Sequence, residues 1–424
     1  MSSVIEKLGY FAEKNLGQNP LKVRRLLKAA YKVSGWQMKY LPEKAFSASQ
    51  RQLAVICNQS IQRPLWDADN SVIVNMFFPC APIHAMGLEP LCAEGLAAYI
   101  NGAGCDHAFI RYAEAHGLPP SYCSYHKILM AAALSDFLPR PAAVLYTSLV
   151  CDANNISFRS IAEHYDVPSF FIDVPNNCHE ESVDYVAEQL RGLPDFLCRV
   201  SGRSFDEARL IEAIKRENRS LRLYEQYLQQ LSTKEVANNF TSEMYRVLLS
   251  HILAGRSEVE RYYAGLLQEA QNSLPAASKL RILWAHTLPN WQRSLSDLFK
   301  YDPRYQLLAC DLNFDAAVEI DETDIYRGLA QKLLTNTLGG PIERRAQKLR
   351  QMAHCLKADG LIYFCHWGCK STQGGAQLIK DYLQEEGIPV LVMDGDGCDR
   401  NNVNEGQMLT RLQAFLEMLE DKRK

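Results

Sequence analysis

Apolar residues change their rhythm along this chain near residue 70. Before that point, stretches such as PLKVRRLLKAAYKV carry apolar side chains at helical spacing and no clear strand, which predicts a helical N-terminal arm over residues 1–65. From SVIVNMFFPC (71–80) onward, short β-branched and aromatic runs alternate with helical stretches, the texture of a parallel sheet covered by helices. Strands are predicted at 71–78, 142–150 and 168–174, within a first α/β domain spanning 66–180. Residues 181–279 offer no convincing strand. Leu210, Ile211, Ile214, Leu221, Tyr224 and Leu228 recur there at helical spacing, so this stretch reads as a helical connecting region. A second α/β domain, 280–424, opens at LRILWAHTLP and carries further strands near 305–310, 361–366 and 389–394. It closes on EGQMLTRLQAFLEMLEDKRK, an amphipathic stretch whose basic end suits a helix C-terminus.

The two α/β regions echo each other. In the first, AAVLYTSLVC ends at Cys151, a helical stretch follows, and the next strand ends at Asp173. In the second, LIYFCHWGC ends at Cys369, a helix follows, and GIPVLVMDGD ends with Asp394 and Asp396. Each half therefore reads as a β-α-β unit with a cysteine just past the carboxyl end of a strand, where open α/β sheets bind their ligands. Two such halves facing each other across a cleft share one ligand.

Composition narrows the chemistry. With 424 residues, 47% of them apolar, the chain exceeds one ordinary core. A net charge of -3 leaves no basic excess to neutralise phosphates, so nucleic acid is excluded as a partner on charge grounds. No apolar run reaches the roughly 18 to 20 residues that cross a bilayer, and the N-terminus lacks a secretory apolar stretch. The expectation is a cytoplasmic protein without membrane partners. There the thirteen cysteines stay reduced, leaving metal ligation, redox chemistry or plain burial to explain them.

Cys123 is the third cysteine of interest. It follows Pro119, Pro120 and Ser121 and opens a strong helical run, so the helix N-terminus favours its thiolate, the form a metal requires. The paired CxxC spacing of structural zinc is absent, the nearest pair being Cys365 and Cys369. Three convergent thiolates suit an iron–sulfur cluster better, although long-range spacing alone leaves the question open.

At these same residues the sequence resembles the 2-hydroxyacyl-CoA dehydratase and benzoyl-CoA reductase family. The matching pieces, in order, are FFPCAPIHAMGLEP, YCSYHK, TSLVCD, HWGCK and the closing GIPVLVMDGDGCDRNNVNEGQMLTRLQAFLEML. The resemblance implies an α/β fold of two flavodoxin- or Rossmann-like parallel-sheet domains. It also implies a [4Fe-4S] cluster in the cleft, with ligands Cys123, Cys151 and Cys369. It implies a homologous second subunit or a homodimer, an acyl-CoA substrate, and a separate ATP-hydrolysing iron–sulfur activator. The activity it implies is radical elimination of water from a (R)-2-hydroxyacyl-CoA; a reductase or a non-catalytic electron-relay subunit is the alternative. Two departures bear on that choice. Many relatives carry a cysteine several residues before Pro79 and a glutamate two residues after it, where this chain has Asn75 and Ala81.

Pro79, His366 and Trp367 are candidates for the substrate cleft, His366 as a hydrogen-bond donor to a carbonyl or as an ordinary structural histidine. Cys92 lies in the helical pattern LCAEGLAAYI and reads as packing, as does Cys365 in its strand. Gly374 and Gly375 are expected to open the helix after Cys369, and Gly339 and Gly340 to close a turn; neither pair forms a nucleotide fingerprint. Asp394, Asp396 and Asp399 read as solvated loop carboxylates rather than a magnesium site.

Overall fold

The computed structural model of the chain describes residues 2–41, 46–276 and 279–423. The described residues form two four-stranded sheets, both wholly parallel. The first comprises β1 (Ser71–Val74), β2 (Glu89–Cys92), β3 (Ala143–Thr147) and β4 (Ser169–Ile172), in spatial order β2-β1-β3-β4. The second comprises β5 (Leu280–Ala285), β6 (Tyr305–Cys310), β7 (Gly360–His366) and β8 (Val390–Gly395), in order β6-β5-β7-β8. Each order is the start of the flavodoxin-like arrangement, so the internal echo in sequence is an echo in topology. In both halves the strand order reverses between the first and third strands.

β2 is the element the sequence pattern hides. Its four residues, Glu-Pro-Leu-Cys, include Pro90, which has no N–H to give a ladder and fits only an edge strand. At the edge it pairs through Ile73 with Leu91 and through Val74 with Cys92. Cys92 therefore ends a strand instead of lying within a helix, and it is the N-cap of the helix Ala93–Gly102, whose Gly95 N–H it accepts.

Strands buried on both faces sort their side chains into layers by the two-residue period. Val72, Val74 and Leu145 face a core shared with Leu283 and Ala285 of the second sheet. Ile73 and Val144 face the opposite way, into a layer with Leu96 and Ile128. In the second half Ile282, Trp284 and Ile362 bury outward against Leu412 and Leu416 of the closing helix Glu405–Arg423. The helix Ala48–Trp66 lies against β1 and β2, and the long helices Glu207–Leu231 and Ser257–Asn272 pack on each other. Asn75, fully buried directly after β1, bridges to β3: its Oδ1 accepts the Thr147 N–H at 3.2 Å, and its Nδ2 lies 3.3 Å from Thr147 Oγ1. Among the described residues no helix is long and apolar enough to cross a membrane.

Candidate metal centre between the two sheets

The carboxyl ends of both sheets open onto one cavity of about 1270 Å³. Met76 and Phe77 after β1, Cys92 at the end of β2, and Val150 and Cys151 after β3 line it from the first half. His286 after β5, Leu312 after β6, and His366, Gly368 and Cys369 at the end of β7 line it from the second. The switch points of the two halves thus face one space, the position in which such sheets bind ligands.

Cys123, Cys151 and Cys369 all line this cavity, and each is the N-cap residue of a helix: Ser124–Leu134, Asp152–Tyr165 and Lys370–Glu385. Three helix N-termini therefore point their positive ends at the space between the sulfurs, an environment that favours an anionic occupant. The two strand-end cysteines are presented alike. Val150 before Cys151 has φ 70°, and Gly368 before Cys369 has φ 78°, so in both halves a left-handed residue turns the chain from strand into helix. For Val150 this is a strained conformation, of the kind that collects at functional sites.

Burial is the main force on the thiols. It holds Cys123 well above its ordinary value, with Cys151 and Cys369 adding to the rise, and it pushes Cys151 up to about 12, with Cys369 and Glu94 adding. Cys123 and Cys151 thus sense the charge of their neighbouring sulfurs across the cavity.

Two histidines reach these sulfurs. His366 Nε2 lies 3.3 Å from Cys123 Sγ, and His126 Nε2 lies 3.5 Å from Cys151 Sγ. His126 is held at Nδ1 by Ser157 Oγ at 3.0 Å, which in turn contacts Tyr122 Oη at 3.0 Å. Burial lowers both imidazoles, His126 to about 4, so they are neutral near pH 7. Cys369 is supported from behind: Arg345 pairs with Asp311 at 2.7 and 2.9 Å and donates to Tyr363 Oη at 3.1 Å. Tyr363 in turn donates to the Thr372 carbonyl at 3.2 Å, in the first turn of the helix that Cys369 caps.

The other sequence candidates fall in several places. His366 lines the cavity, while Pro79 faces a separate void of about 40 Å³ and Trp367 is 48% exposed. Cys365 is buried in β7. Gly374 and Gly375 lie inside the helix Lys370–Glu385 instead of opening it. Asp396 and Asp399 are buried, not solvated. Asp396 accepts from Ser124 Oγ at 2.5 Å and from the N–H groups of Cys398 and Asp399 at 2.9 Å each, which ties the β8 loop to the helix behind Cys123.

Glu94 escaped the sequence reading. It lines the cavity from the second position of its helix, 3.5 Å from Cys92 Sγ, and burial raises its carboxyl above the usual range. The signal for it lay in an acid two residues beyond a strand end, hidden because β2 itself was hidden. His126 was visible in YCSYHK, but its partner Cys151 lies 25 residues away on another element.

Among the described residues no three His, Cys, Asp or Glu side chains converge closely enough to grip a single metal ion. The triad fits a larger polynuclear group: soft sulfur donors from three elements, three helix N-termini for its negative charge, and imidazoles directed at two of the sulfurs.

Comparison with known proteins gives the lineage. The family described as 2-hydroxyglutaryl-CoA dehydratase, D-component, matches residues 75–419. The alpha subunit of (R)-2-hydroxyglutaryl-CoA dehydratase from Acidaminococcus fermentans is 24% identical over 67% of this chain, and the match spans 61% of that protein. The (R)-phenyllactyl-CoA dehydratase alpha subunit of Clostridium sporogenes is 23% identical over 81% of this chain and 88% of its own length. The lactoyl-CoA dehydratase alpha subunit of Anaerotignum propionicum is 26% identical over 79% and 87%. The chain therefore belongs to the 2-hydroxyglutaryl-CoA dehydratase D-component family.

Proposed function

We propose that this chain is the [4Fe-4S]-bearing subunit of a 2-hydroxyacyl-CoA dehydratase-type enzyme, with Cys123, Cys151 and Cys369 as the cluster ligands. The observation that carries the reading is that these three cysteines, drawn from both halves, cap three helices around one cavity at the switch points of both sheets. The similar proteins are alpha subunits of dehydratases, which supports a homologous partner subunit here too.

Held by Cys123, Cys151 and Cys369, a cluster would supply one-electron chemistry at the cavity. The net reaction takes the 2-hydroxyl and a neighbouring C–H hydrogen from a (R)-2-hydroxyacyl-CoA as water. A separate ATP-hydrolysing activator lends one electron to the thioester carbonyl, the hydroxyl departs from the resulting ketyl, the neighbouring carbon then loses its proton, and the electron is returned. The chain's own residues orient the thioester, exclude water and handle protons. Glu94, with its raised carboxyl in the cavity wall, is the group placed to carry the proton that leaves with the hydroxyl. It also answers the concern raised by Ala81, because the cavity has an acid even though the motif position does not. Asn75 has its own structural task between β1 and β3. Both points favour a catalytic over a purely electron-relaying subunit.

Anaerobic purification followed by iron and sulfide analysis tests the ligand set. C123A, C151A and C369A are each expected to lose most of the iron, and C198A to keep it; equal iron in all four overturns the assignment. With activator, ATP and a panel of 2-hydroxyacyl-CoAs, dehydration is expected to continue on catalytic electrons. A stoichiometric demand for reductant would instead identify a reductase.

A further inference from the structure

His366 belongs to β7 of the second half, yet it touches the sulfur of Cys123 in the first. Its protonation is settled by its other nitrogen. The Gly397 backbone N–H lies 3.0 Å from His366 Nδ1. A backbone N–H can only donate, so Nδ1 must be the bare, accepting nitrogen. In a neutral imidazole the single proton then sits on Nε2, which is the atom 3.3 Å from Cys123 Sγ. An imidazolium would set two N–H groups head to head at Gly397. Asp396 Oδ1 lies 3.8 Å from Nδ1, and that oxygen already accepts from Ser124 and two backbone N–H groups.

His126 forms the contrast. Its Nδ1 meets the hydroxyl of Ser157, which both donates and accepts, so either tautomer is satisfied. Gly397 itself is fixed: its carbonyl accepts from Tyr125 Oη at 3.3 Å and from Trp291 Nε1 at 3.1 Å. Tyr125 also packs edge-on against the His366 ring, with centroids 5.4 Å apart. The imidazole is thus clamped from both halves.

We infer that His366 is a positioning residue locked as an Nε2–H donor to the Cys123 sulfur, and that this N–H···S bond sets the electron affinity of the iron–sulfur group which that sulfur ligates. The inference rests on the cluster reading above and adds to it the residue that tunes the potential. A donor directed at a ligand sulfur draws negative charge off the cluster and favours its reduced, more negative state, raising the reduction potential. Because donor and sulfur come from different halves, the tuning depends on the halves being closed on each other.

The test compares wild type, H366Q and H366L, each purified anaerobically, by iron content and by mediated redox titration followed by electron paramagnetic resonance. Wild type and H366L are expected to bind similar iron, with the midpoint of H366L shifted to lower potential. H366Q keeps an amide N–H and is expected to lie nearer wild type. On wild type alone, electron–nuclear double resonance is expected to detect an exchangeable proton coupled to the reduced cluster that disappears in D2O. This measurement decides the matter if H366L fails to fold or to hold iron. Equal midpoints in wild type and H366L at equal iron, or no exchangeable coupling, overturn this inference alone. A wild-type protein devoid of iron overturns it together with the cluster reading.

Discussion

Gly368 presses its α-carbon against the backbone of Cys123: a Cβ built there would stand 2.7 Å from both N and Cα of Cys123 and 2.9 Å from the Tyr122 carbonyl carbon. This contact joins the HWGCK turn to the YCSYHK helix and so sets Cys369 beside Cys123. Gly368 also has φ 78°, costly for any residue with a side chain. Gly368→Ala is therefore expected to destabilise the protein by about 2 kcal/mol or more and to deplete bound iron. Gly374, six residues on in the same segment, meets nothing within 4 Å, so Gly374→Ala is expected to raise stability by about 0.5 to 1 kcal/mol. Urea unfolding with iron analysis checks the pair.

Asp396 is expected to be the most sensitive carboxylate of the interface. It serves Ser124 Oγ at 2.5 Å and two backbone N–H groups of its own loop, all in a site where it is 2% exposed. Asp396→Ala leaves those donors buried without an acceptor, a loss of about 3 kcal/mol. Asp396→Asn keeps one oxygen and is expected to cost about 1 kcal/mol. Denaturant midpoints measured on both variants decide it, and a neutral Asp396→Ala would show that the β8 loop is not held by this residue.

Much of this was legible in the chain, and the remainder was hidden for physical reasons. Apolar runs such as AVLYT in β3 and GLIYFCH in β7 announce buried parallel strands, and the strand pattern alone places the cysteines that follow them at the cleft. Cys123 was readable as a cap because Pro119 and Pro120 precede a long helical run. β2 was not, because Pro90 contradicts a strand everywhere except at an edge, and edge position is a property of the whole sheet. Asp396 looked like a loop acid because its partner Ser124 lies 272 residues away. Nothing in the sequence singles out Gly368, since its approach to Cys123 exists only after the two halves meet. The N–H of Gly397 and the imidazole of His366 lie 31 residues apart, just after β8 and at the end of β7, so only the assembled second sheet shows them as a pair. The Cys310 thiol donates to the carbonyl of His286, a cavity-lining residue, at 3.0 Å, so Cys198 and not Cys310 serves as the control for iron content.

Acid is expected to weaken the fold through His84, within the FFPCAPIHAMGLEP motif. Its Nε2 lies 2.8 Å from the Ile252 carbonyl, and its Nδ1 accepts from Arg256 Nε at 3.2 Å. Burial, with Arg256 adding, holds its pKa well below the ordinary 6.5. The unfolded chain therefore takes up a proton below about pH 6.5 that the folded chain refuses. This contribution is full above that pH and is lost as pH falls toward the lowered folded value, at about 1.4 kcal/mol per unit. His84→Gln is expected to flatten the slope of stability between pH 7 and 5, measured by urea unfolding; an unchanged slope counts against His84 as the group responsible.

Glu94 gives the sharpest separation between holding the cluster and performing the reaction. Its carboxyl lies in the wall of the shared cavity, where burial favours its protonated form. Glu94→Gln preserves shape and an accepting oxygen but has no proton to exchange. Iron content and unfolding midpoint are therefore expected to stay near wild type. If the carboxyl carries the proton in the elimination, turnover with activator, ATP and an acyl-CoA is expected to fall by about 100-fold or more, the usual loss for a missing general acid or base. Glu94→Asp retains the acid on a shorter stem, and it is expected to recover part of that rate without altering iron. Full turnover in Glu94→Gln would move the proton to another group in the cavity, whereas loss of iron would make Glu94 a support of the metal centre, bearing on Cys151 through its charge.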